Sequence, residues 1–443
     1  MKWFHPPALA AAACLLLISG CAGNGSSAPS GSASNPASPA AVATTAPAIT
    51  ESPAASAQQT PSQPSATPSP GNHPAEADTS ISKILAEMTL EEKIGQMLLV
   101  GIDGTTLDTA AAKMITEDKV GGIILYSDNV GNLKQLVSLT NALKQSNRGN
   151  PAPLFMSVDQ EGGKVSRLPD AYAVFPSNAA VGTGNSAEAA GKMGGLLARA
   201  VKSSGFNMNF APVLDINSNP DNPVIGARSF GSSAELAIKL GVAEMKGLER
   251  EGAIPVVKHY PGHGDTSVDS HLELPVVNKT AAQLAKLEWL PFQAAIREQA
   301  DAVMVAHILY PALDPDKPAS LSKVIIGQQL RGEHGFKGVV ITDDLTMGAI
   351  VKNYSLTAAA VDTVLAGSDI LLIAHEYKNE KAVRGALITA VKDGTISESR
   401  IDDSVTRILT LKAKYKLTDQ PVAVPDLSGL NADIKAWRKP FQK

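Results

Sequence analysis

From residue 79 onward, short runs of apolar residues alternate with amphipathic segments that have the period of an α-helix. The first helical segment extends from Ile81 to Met97, with Leu85, Met88 and Ile94 on the same face. Eight apolar runs then predict β-strands, at Leu98–Ile102, Gly121–Tyr126, Pro153–Val158, Asn207–Val213, Ile254–His259, Ala302–His307, Gly338–Thr342 and Asp369–Ala374. Because these runs are apolar at almost every position, they are typical of parallel strands that are buried on both faces.

The segments between the strands predict helices, at Leu133–Gln145, Ala187–Ser204, Ala234–Glu251, Thr280–Gln299 and Ala358–Leu365. A further helical tail begins at about Glu398. The alternation of strand and helix predicts one α/β domain over residues 79–443, and eight repeats of the unit fit a (β/α)8 TIM barrel. A doubly wound open sheet is the alternative, although no G-x-G-x-x-G segment follows the first strand.

Residues 1–20 have the pattern of an export signal. Lys2 provides a basic start, and the apolar run Ala8–Ile18 is too short to span a bilayer. The run ends in Ile-Ser-Gly-Cys, which resembles the lipobox of a bacterial lipoprotein, in which Cys21 would carry the lipid. We therefore expect an exported bacterial lipoprotein on the outer face of the cell membrane, in contact with the membrane only through its lipid anchor. An ordinary cleaved signal with an incidental cysteine is the alternative.

Residues 21–78 consist mainly of Ser, Ala, Pro, Thr, Gly and Gln, and no Lys or Arg lies between Lys2 and Lys83. Such a segment has too little apolar surface to offset the entropy lost on ordering, so we predict a disordered tether before the single folded domain. A glycosylated stalk and a plain linker are equally compatible with this composition.

The composition of the whole chain excludes several classes of protein. With 39 Lys and Arg against 43 Asp and Glu, the net charge is −4, which argues against a nucleic-acid-binding protein. Both cysteines, Cys14 and Cys21, precede the folded part, so neither a disulfide framework nor a thiolate metal site is expected there. Aromatic residues are only 4% of the chain, which argues against a long aromatic groove for crystalline polysaccharide.

Charged and titratable residues follow the predicted strands at the end where barrel enzymes carry their chemistry. These residues are Asp159, Asp215, Lys258, His259, His307, Asp343, Asp344 and His375. A single Asp after a strand often caps the next helix, so each residue alone carries little information. So many titratable groups on one rim would be mutually costly unless they served a ligand, so together they predict a functional site.

The densest cluster of polar residues is the loop segment KHYPGHGDTSVDSH at Lys258–His271. His259 and His263 have a spacing that would suit a zinc or iron site on one helical face, but a Pro-Gly loop does not provide such a face. Asp269 precedes His271 by two residues, so its carboxylate could orient the imidazole for acid–base work. The third alternative is that these side chains only hold a long loop together. We predict no metal and no cofactor.

The same segment resembles the signature of glycoside hydrolase family 3, in the subgroup of the β-N-acetylhexosaminidases. Three further segments are similar to the family in the same order, and they are DQEGGKVSRL at Asp159–Leu168, IGARSFG at Ile225–Gly231 and ITDDLTMGAI at Ile341–Ile350. The resemblance extends from Thr79 to about Leu417, which is essentially the whole folded part. It implies a barrel fold and a carbohydrate substrate.

The resemblance also implies roles for individual residues. Asp343 corresponds to the catalytic nucleophile, His271 to the general acid/base and Asp269 to the partner of that histidine. Sugar-binding positions fall on Asp159, Arg167, Arg228, Lys258 and His259. For each of the three cations in that set, an ion pair with a rim carboxylate is the structural alternative. Tyr260 and Lys164 stand where Phe and Arg are usual, and neither is a catalytic position.

These residue types suit glycoside hydrolysis. A retaining enzyme needs one group that attacks the anomeric carbon and another that protonates the departing oxygen. A histidine can serve as the acid without a strongly shifted pKa, because its ordinary pKa of about 6.5 is already close to neutral pH. We therefore expect a retaining exo-β-N-acetylglucosaminidase that removes terminal GlcNAc from peptidoglycan fragments outside the membrane, through a covalent intermediate on Asp343.

Three other functions stay open. An imidazole lacks the fixed negative charge of a carboxylate, so phosphate could reach the glycosyl-enzyme and the protein would then act as a phosphorylase. A β-glucosidase of the same family is a related alternative. A tethered sugar-binding lipoprotein without turnover is a different class, and the intact nucleophile and histidine pair argue against it. The oligomeric state is also left open.

Overall fold

In the computed structural model of the protein, the backbone is described for residues 74–441 and the side chains for residues 79–441. The predicted signal at residues 1–20, the lipidation site Cys21 and the tether as far as residue 73 lie outside the described residues. The first helix begins at Pro74, so the last residues assigned to the tether are helical.

Eight parallel strands form one sheet, in which β1 to β7 follow one another in order and β8 lies beside β1. They are β1 (Leu98–Val100), β2 (Gly122–Leu125), β3 (Phe155–Val158), β4 (Met208–Asn209), β5 (Ile254–Tyr260), β6 (Ala302–Val305), β7 (Val339–Thr342) and β8 (Leu371–Ile373). Each predicted apolar run coincides with one of these strands, and every strand residue is buried. The prediction of buried parallel strands is therefore confirmed.

The sheet closes into a barrel where β7 meets β8. A parallel bridge joins Ile341 to Ile370, and the amide of Thr342 donates to the carbonyl of Ile370 at 3.0 Å. The amide of Leu372 in turn donates to the side-chain oxygen of Thr342 at 3.0 Å. These bonds supply the contact between the outermost strands that an open sheet lacks. The TIM barrel prediction is confirmed, and the doubly wound alternative is wrong.

The helices cover the outside of the barrel and the connections between strands. They are α1 (Pro74–Glu87), α2 (Leu90–Gln96), α3 (Thr109–Thr116), α4 (Leu133–Ser146), α5 (Asn178–Thr183), α6 (Ala187–Ser203), α7 (Ala234–Arg250), α8 (Ala281–Leu284), α9 (Trp289–Arg297), α10 (Gly348–Val351), α11 (Leu356–Ala366), α12 (Tyr377–Lys392), α13 (Glu398–Lys414) and α14 (Ser428–Arg438). A π-helix, Lys323–Glu333, precedes β7. The helix predicted at Thr280–Gln299 is divided into α8 and α9, and the other four predicted helices end within two residues of their expected bounds.

The helical segment expected from Ile81 to Met97 is broken into α1 and α2. Thr89 begins the second helix, because the Glu92 amide donates to its side-chain oxygen and its own amide donates to the Glu92 carboxylate at 2.9 Å. This reciprocal pair is a capping box, which starts a new helix even where the apolar period continues. The prediction of one continuous segment is wrong at this position.

Within the strand predicted at Asn207–Val213, β4 itself includes only Met208 and Asn209, and an isolated parallel bridge joins Val213 to Lys258 of β5. The Asn209 side chain bonds to the backbone that follows β3, since it accepts from the Gln160 amide and donates to the Gln160 carbonyl, both at 2.9 Å. Pro212 then lacks an amide hydrogen to donate. The pairing is therefore interrupted after β4 and resumes at Val213, and the Leu214 amide donates to the Lys258 carbonyl at 2.7 Å.

The tail after the barrel is helical, and α13 begins at Glu398, where the sequence places its start. Lys412 of α13 is buried, and its ammonium group donates to the Gln96 side chain at 2.7 Å and to the Gly121 carbonyl at 2.9 Å. Gly121 immediately precedes β2, so the tail closes the amino end of the barrel and leaves the other end for the site. Within residues 74–441, no helix is long and apolar enough to cross a membrane.

A buried charge cluster holds the amino end of β8 to the surrounding helices. Asp369 is fully buried, and its carboxylate accepts from Arg331 at 2.6 Å and from Arg407 at 3.0 Å. The same carboxylate accepts from the Ser404 hydroxyl at 2.7 Å and from the Val340 amide at 3.0 Å. All of its bonding capacity is therefore used to join β7, β8, the π-helix and α13.

Removal of this carboxylate should destabilise the fold strongly. The Asp369→Ala variant leaves Arg331 and Arg407 without their common partner, and loss of one member of a buried ion cluster costs about 3–5 kcal/mol. We expect that decrease in the free energy of unfolding, measured by urea denaturation. Glu91→Ala is the control, because it removes an exposed pair with Lys392 and should cost less than about 1 kcal/mol. Equal effects of the two substitutions would contradict the assigned role of Asp369.

Candidate active site

Polar side chains from three strands meet at the carboxyl end of the barrel. Asp159 follows β3, Asp343 follows β7, and Lys258 and His259 lie near the end of β5. The register of β5 against β6 shifts in this last part of the strand. The bulge interrupts the alternation of side chains, so the adjacent Lys258 and His259 both bond to polar groups of the rim.

A buried ion network occupies one side of the rim. Glu161 accepts from Arg228 at 2.7 and 2.9 Å and from the Lys258 ammonium group at 2.7 Å. Lys258 also forms an ion pair with Asp159, which is partly exposed. Burial alone would raise the pKa of Glu161, but Lys258 and Arg228 hold it well below its usual range. Glu161 is therefore held in its charged form, and the network brings together three of the predicted sugar-binding residues.

His259 is oriented by a buried carboxylate. Its Nδ1 lies 2.6 Å from Oδ2 of Asp215, and its Nε2 lies 3.3 Å from the Arg228 guanidinium group. Burial raises the pKa of Asp215, and His259 outweighs this effect and lowers it. The Asp215 carboxylate also accepts from the His263 amide at 2.6 Å. Asp215 thus holds the loop after β5 rather than capping a helix.

Asp343 presents a carboxylate at the centre of the rim. Its amide donates to the Val305 carbonyl at 2.9 Å, and one carboxylate oxygen accepts from the Asp344 amide at 2.9 Å. Burial alone would raise its pKa, but His307 and His259 outweigh that effect and hold it below its usual value. Among the described residues, Asp343 forms no ion pair with Lys or Arg. Its charged carboxylate is therefore available to a ligand.

Two neighbours of Asp343 support the rim. His307 is fully buried, with Nε2 2.9 Å from the Asp344 carbonyl and Nδ1 2.6 Å from the Ser320 hydroxyl, so it is a satisfied core histidine. The Asp344 carboxylate accepts from the amides of Thr346, at 2.9 Å, and Ala374, at 3.0 Å. It therefore ties the segment after β7 to the end of β8.

The predicted histidine pair is formed on the loop after β5. Nδ1 of His271 lies 2.7 Å from Oδ1 of Asp269, and the His271 amide donates to the same oxygen at 2.9 Å. Burial raises the pKa of Asp269, and the bonds from His271 outweigh this effect and lower it. The His271 side chain is 65% exposed. Its Nε2 is thus free at the mouth of the barrel, and the imidazole is near enough to Asp343 to contribute to the lowered pKa of that carboxyl.

His263 stabilises this loop from within, through hydrogen bonds to two of the loop's hydroxyl groups. It is buried, with Nδ1 2.8 Å from the Thr266 hydroxyl and Nε2 3.3 Å from the Ser270 hydroxyl. Burial lowers its pKa to about 4, so the ring is neutral at neutral pH. Both nitrogens are occupied, and no group of three or more His, Cys, Asp or Glu side chains in the described part of the chain is arranged to hold a metal ion. The donor geometry thus favours a structural role for His263 over the metal alternative.

Arg167 differs from the other cations because it has no carboxylate partner among the described residues. Its only side-chain hydrogen bond is a long one of 3.4 Å to the Ser166 carbonyl, and its buried Nε has none. Gln160 fixes the backbone here, since its side-chain oxygen accepts from the Arg167 amide at 2.8 Å. The ion-pair alternative applies to Lys258 and Arg228 but not to Arg167, whose donors are free for a ligand.

Sequence reasoning missed Tyr126 and the partner role of Glu161. Tyr126 follows β2, and the pairing of Leu125 with Val158 places it next to Asp159. Its ring stacks on His375 with 5.8 Å between the ring centroids. Burial and neighbouring carboxylates raise the pKa of its hydroxyl. The sequence contained a signal for Tyr126, because this residue follows a strand at the same barrel end as the charged residues.

The barrel mouth thus combines a charged carboxylate, a free imidazole oriented by a second carboxylate, and a rigid set of donors and acceptors. These are the parts that glycosyl transfer requires, and they define a carbohydrate-active barrel enzyme. Residues 89–411 match the glycosyl hydrolase family 3 N-terminal domain. The chain belongs to glycosyl hydrolase family 3, which confirms the family and the enzyme class expected from the four segments.

Individual relatives carry related names. Beta-hexosaminidase A of Pseudoalteromonas piscicida is 36% identical over 344 residues, which are 72% of this chain and 58% of that protein. Beta-hexosaminidase of Stenotrophomonas maltophilia is 33% identical over 334 residues, which are 71% of this chain and 98% of that protein. A solved glycoside hydrolase family 3 beta-N-acetylglucosaminidase from Paenibacillus sp. is similar with a TM-score of 0.74 and 42% identity, over 80% of this chain and 69% of that one. This chain therefore spans less than two thirds of the first of these relatives.

The pH dependence of stability should reveal the charged state of Glu161. Glu161→Gln leaves Lys258 and Arg228 facing a neutral amide, and at pH 7 it should lower the free energy of unfolding by about 3–5 kcal/mol. Because the pKa is lower in the folded state than the unfolded value of about 4.3, this stabilisation is complete above that pH and decreases as the pH falls below it.

Urea denaturation of both proteins at pH 7 and at about pH 3.5 gives the comparison, since that lower value is below the unfolded pKa. The difference between variant and unaltered protein should be larger at pH 7. The exposed Glu273, changed to Gln, is the control and should give no such difference. A Glu161→Gln effect that is equal or larger in acid would contradict a carboxylate held in its charged form.

Proposed function

We propose that the protein is a retaining exo-β-N-acetylglucosaminidase that removes terminal GlcNAc through a covalent intermediate on Asp343. The observation that carries this proposal is the His271–Asp269 pair on the loop after β5, with its free Nε2 at the same barrel mouth as the charged Asp343 carboxylate. The names of the similar hexosaminidases support the choice of sugar.

In the first step, a carboxylate oxygen of Asp343 attacks the anomeric carbon while the bond to the leaving oxygen breaks. His271 donates the Nε2 proton to that oxygen, and Asp269 stabilises the ring orientation through Nδ1. The step needs Asp343 in its charged form, and the lowered pKa of its carboxyl provides that form at neutral pH. The product is a glycosyl ester on Asp343 and a free aglycone.

In the second step, the oxygen of a water molecule attacks the anomeric carbon while Nε2 of His271 takes a proton from that water. The bond to Asp343 breaks, so the carboxylate and the protonated imidazole are regenerated. Two displacements at the same carbon give net retention of configuration.

The rigid side of the rim is suited to hold the sugar. Asp159 is the partly exposed member of the ion network, so its carboxylate can accept from sugar hydroxyls. Three cations can donate hydrogen bonds to the sugar. Ion pairs fix the positions of Lys258 and Arg228, and Arg167 has a buried Nε without a partner among the described residues. Hydrogen bonds from a site that is already ordered stabilise the bound sugar without the cost of ordering these side chains.

We also propose that the substrate is a peptidoglycan fragment and that the protein is held on the outer face of the cell membrane by a lipid on Cys21. Support for this location comes from the Ile-Ser-Gly-Cys segment and the Ser-, Ala- and Pro-rich residues that follow it. A tethered domain at that location would meet cell-wall fragments.

Asp343→Asn should abolish hydrolysis of p-nitrophenyl β-GlcNAc. Loss of a covalent nucleophile removes the main path, so kcat should fall by at least about a thousandfold. The control is Asp433→Asn on α14, a surface change of the same type that should leave the rate within about twofold. Proton NMR of the first-formed sugar should show the β-anomer. Full activity of Asp343→Asn, or release of the α-anomer, would refute the proposal.

The loss of kcat/KM in His271→Ala should be larger for substrates whose leaving group must be protonated as it departs. With chitobiose, in which the departing GlcNAc is a poor leaving group, kcat/KM should fall by about 10²–10⁴-fold, and with the dinitrophenyl glycoside by much less. Equal losses on both substrates would contradict the acid role. The assay is repeated in phosphate buffer, where free GlcNAc is the expected product. A predominance of anomeric GlcNAc phosphate would show a phosphorylase instead.

A further inference from the structure

The segment from Asp343 to Ala349, which we call the connector, runs from the nucleophile to the loop that carries the histidine pair. The connector is anchored to the barrel. The Leu345 amide donates to the Leu372 carbonyl at 3.0 Å, and the Asp344 carboxylate accepts from the Ala374 amide at 3.0 Å. Its position relative to the strand ends is therefore defined by β8.

The connector binds the backbone of the histidine loop directly. The Gly348 amide donates to the His271 carbonyl at 3.2 Å, and the Ala349 amide donates to the Ser270 carbonyl at 3.1 Å. Among the described hydrogen bonds, no other group outside the loop bonds to the main chain of residues 271–273. The exposed His271 is therefore held at the rim mainly through these two amides.

Gly348 allows this approach because it has no side chain. A Cβ at position 348 would lie 2.6 Å from the carbonyl oxygens of both His271 and Leu272. These are backbone atoms, so they can give way only if the loop itself moves. Gly348 is the first residue of α10, a conformation open to any amino acid, so the requirement for glycine here is one of space.

We propose that Gly348 is a positioning residue for the acid–base step, because its close contact with the backbone of His271 holds the imidazole in place relative to Asp343. The inference rests on the proposed function, in which those two side chains act on the same glycosidic bond. The connector then fixes the positions of both the nucleophile and the acid, which therefore do not depend on two independent loops. Such a fixed separation is what a two-group mechanism needs, since small displacements of a catalytic group cost much of the rate.

The test is the Gly348→Ala variant with two substrates. Displacement of the loop should impair proton donation, so kcat/KM for chitobiose should fall by about tenfold or more, and that for the dinitrophenyl glycoside by less than about threefold. The control is Gly385→Ala, because Gly385 lies on an exposed part of α12 and a Cβ there would meet no atom within 4 Å. It should leave both rates unchanged. Equal losses on both substrates, or no loss, would overturn the inference.

His271→Ala, measured with the same substrates, separates this inference from the proposed function. If His271→Ala shows the dependence on leaving group and Gly348→Ala does not, Gly348 has no positioning role and the proposed function stands. If His271→Ala itself lacks that dependence, the proposed function fails first.

A second measurement needs no variant. The first amides of a helix have no partner within the helix, so protection of the Gly348 and Ala349 amides from hydrogen exchange would come from the histidine loop. In the unaltered protein both amides should exchange at least about tenfold more slowly than in an unstructured peptide. Exchange at the peptide rate would show that the loop is not held by the connector and would overturn the inference even if Gly348→Ala fails to fold.

Discussion

The buried ammonium group of Lys258 is the constraint on which the rest of the site depends. A buried charge is costly unless it is paired and hydrogen-bonded, so Glu161 and Asp159, which follow β3, must lie within reach of Lys258 although β4 separates β3 from β5. Arg228 binds the same Glu161 and thereby attaches the segment between β4 and α7 to the network. One requirement for charge compensation thus brings together three chain segments that are far apart in sequence.

The two sides of the rim differ in burial, and this difference fits the two roles that the proposed mechanism gives them. In the network around Lys258 the lysine and Glu161 are buried and Asp159 is partly exposed, an arrangement that suits the proposed recognition of one sugar ring. The histidine pair is more open to solvent, with the His271 side chain 65% exposed, which suits the proposed entry and departure of an aglycone. Asp343 lies between them: burial raises its pKa, while His307, His259 and His271 lower it, so both sides of the rim contribute to its charged state.

The sequence predicted the barrel because buried parallel strands leave a local signal, a run of apolar residues, which is visible without knowledge of the partner strand. It also predicted Asp343 and the histidine pair, because they lie in short segments that resemble a known family. It did not predict the bonds of Asp215 to the loop after β5, because those partners lie more than forty residues away along the chain. Thr89 shows the converse case, since its capping box is a local signal that the apolar period concealed.

The charges already present on the rim explain why an imidazole suits the acid role that the proposed mechanism gives to His271. Asp343, Asp159 and Glu161 carry negative charge, and only Glu161 has its charge fully matched by buried cations. A carboxylic acid beside them would need a pKa raised far above its ordinary value to keep its proton at neutral pH, and strong burial would have to provide that shift. The imidazole group as a residue type needs no such burial, because the ordinary pKa of histidine is already close to neutral pH. In the proposed mechanism the acid can therefore lie on an exposed loop, and backbone contacts such as those of Gly348, instead of burial, would keep that loop ordered.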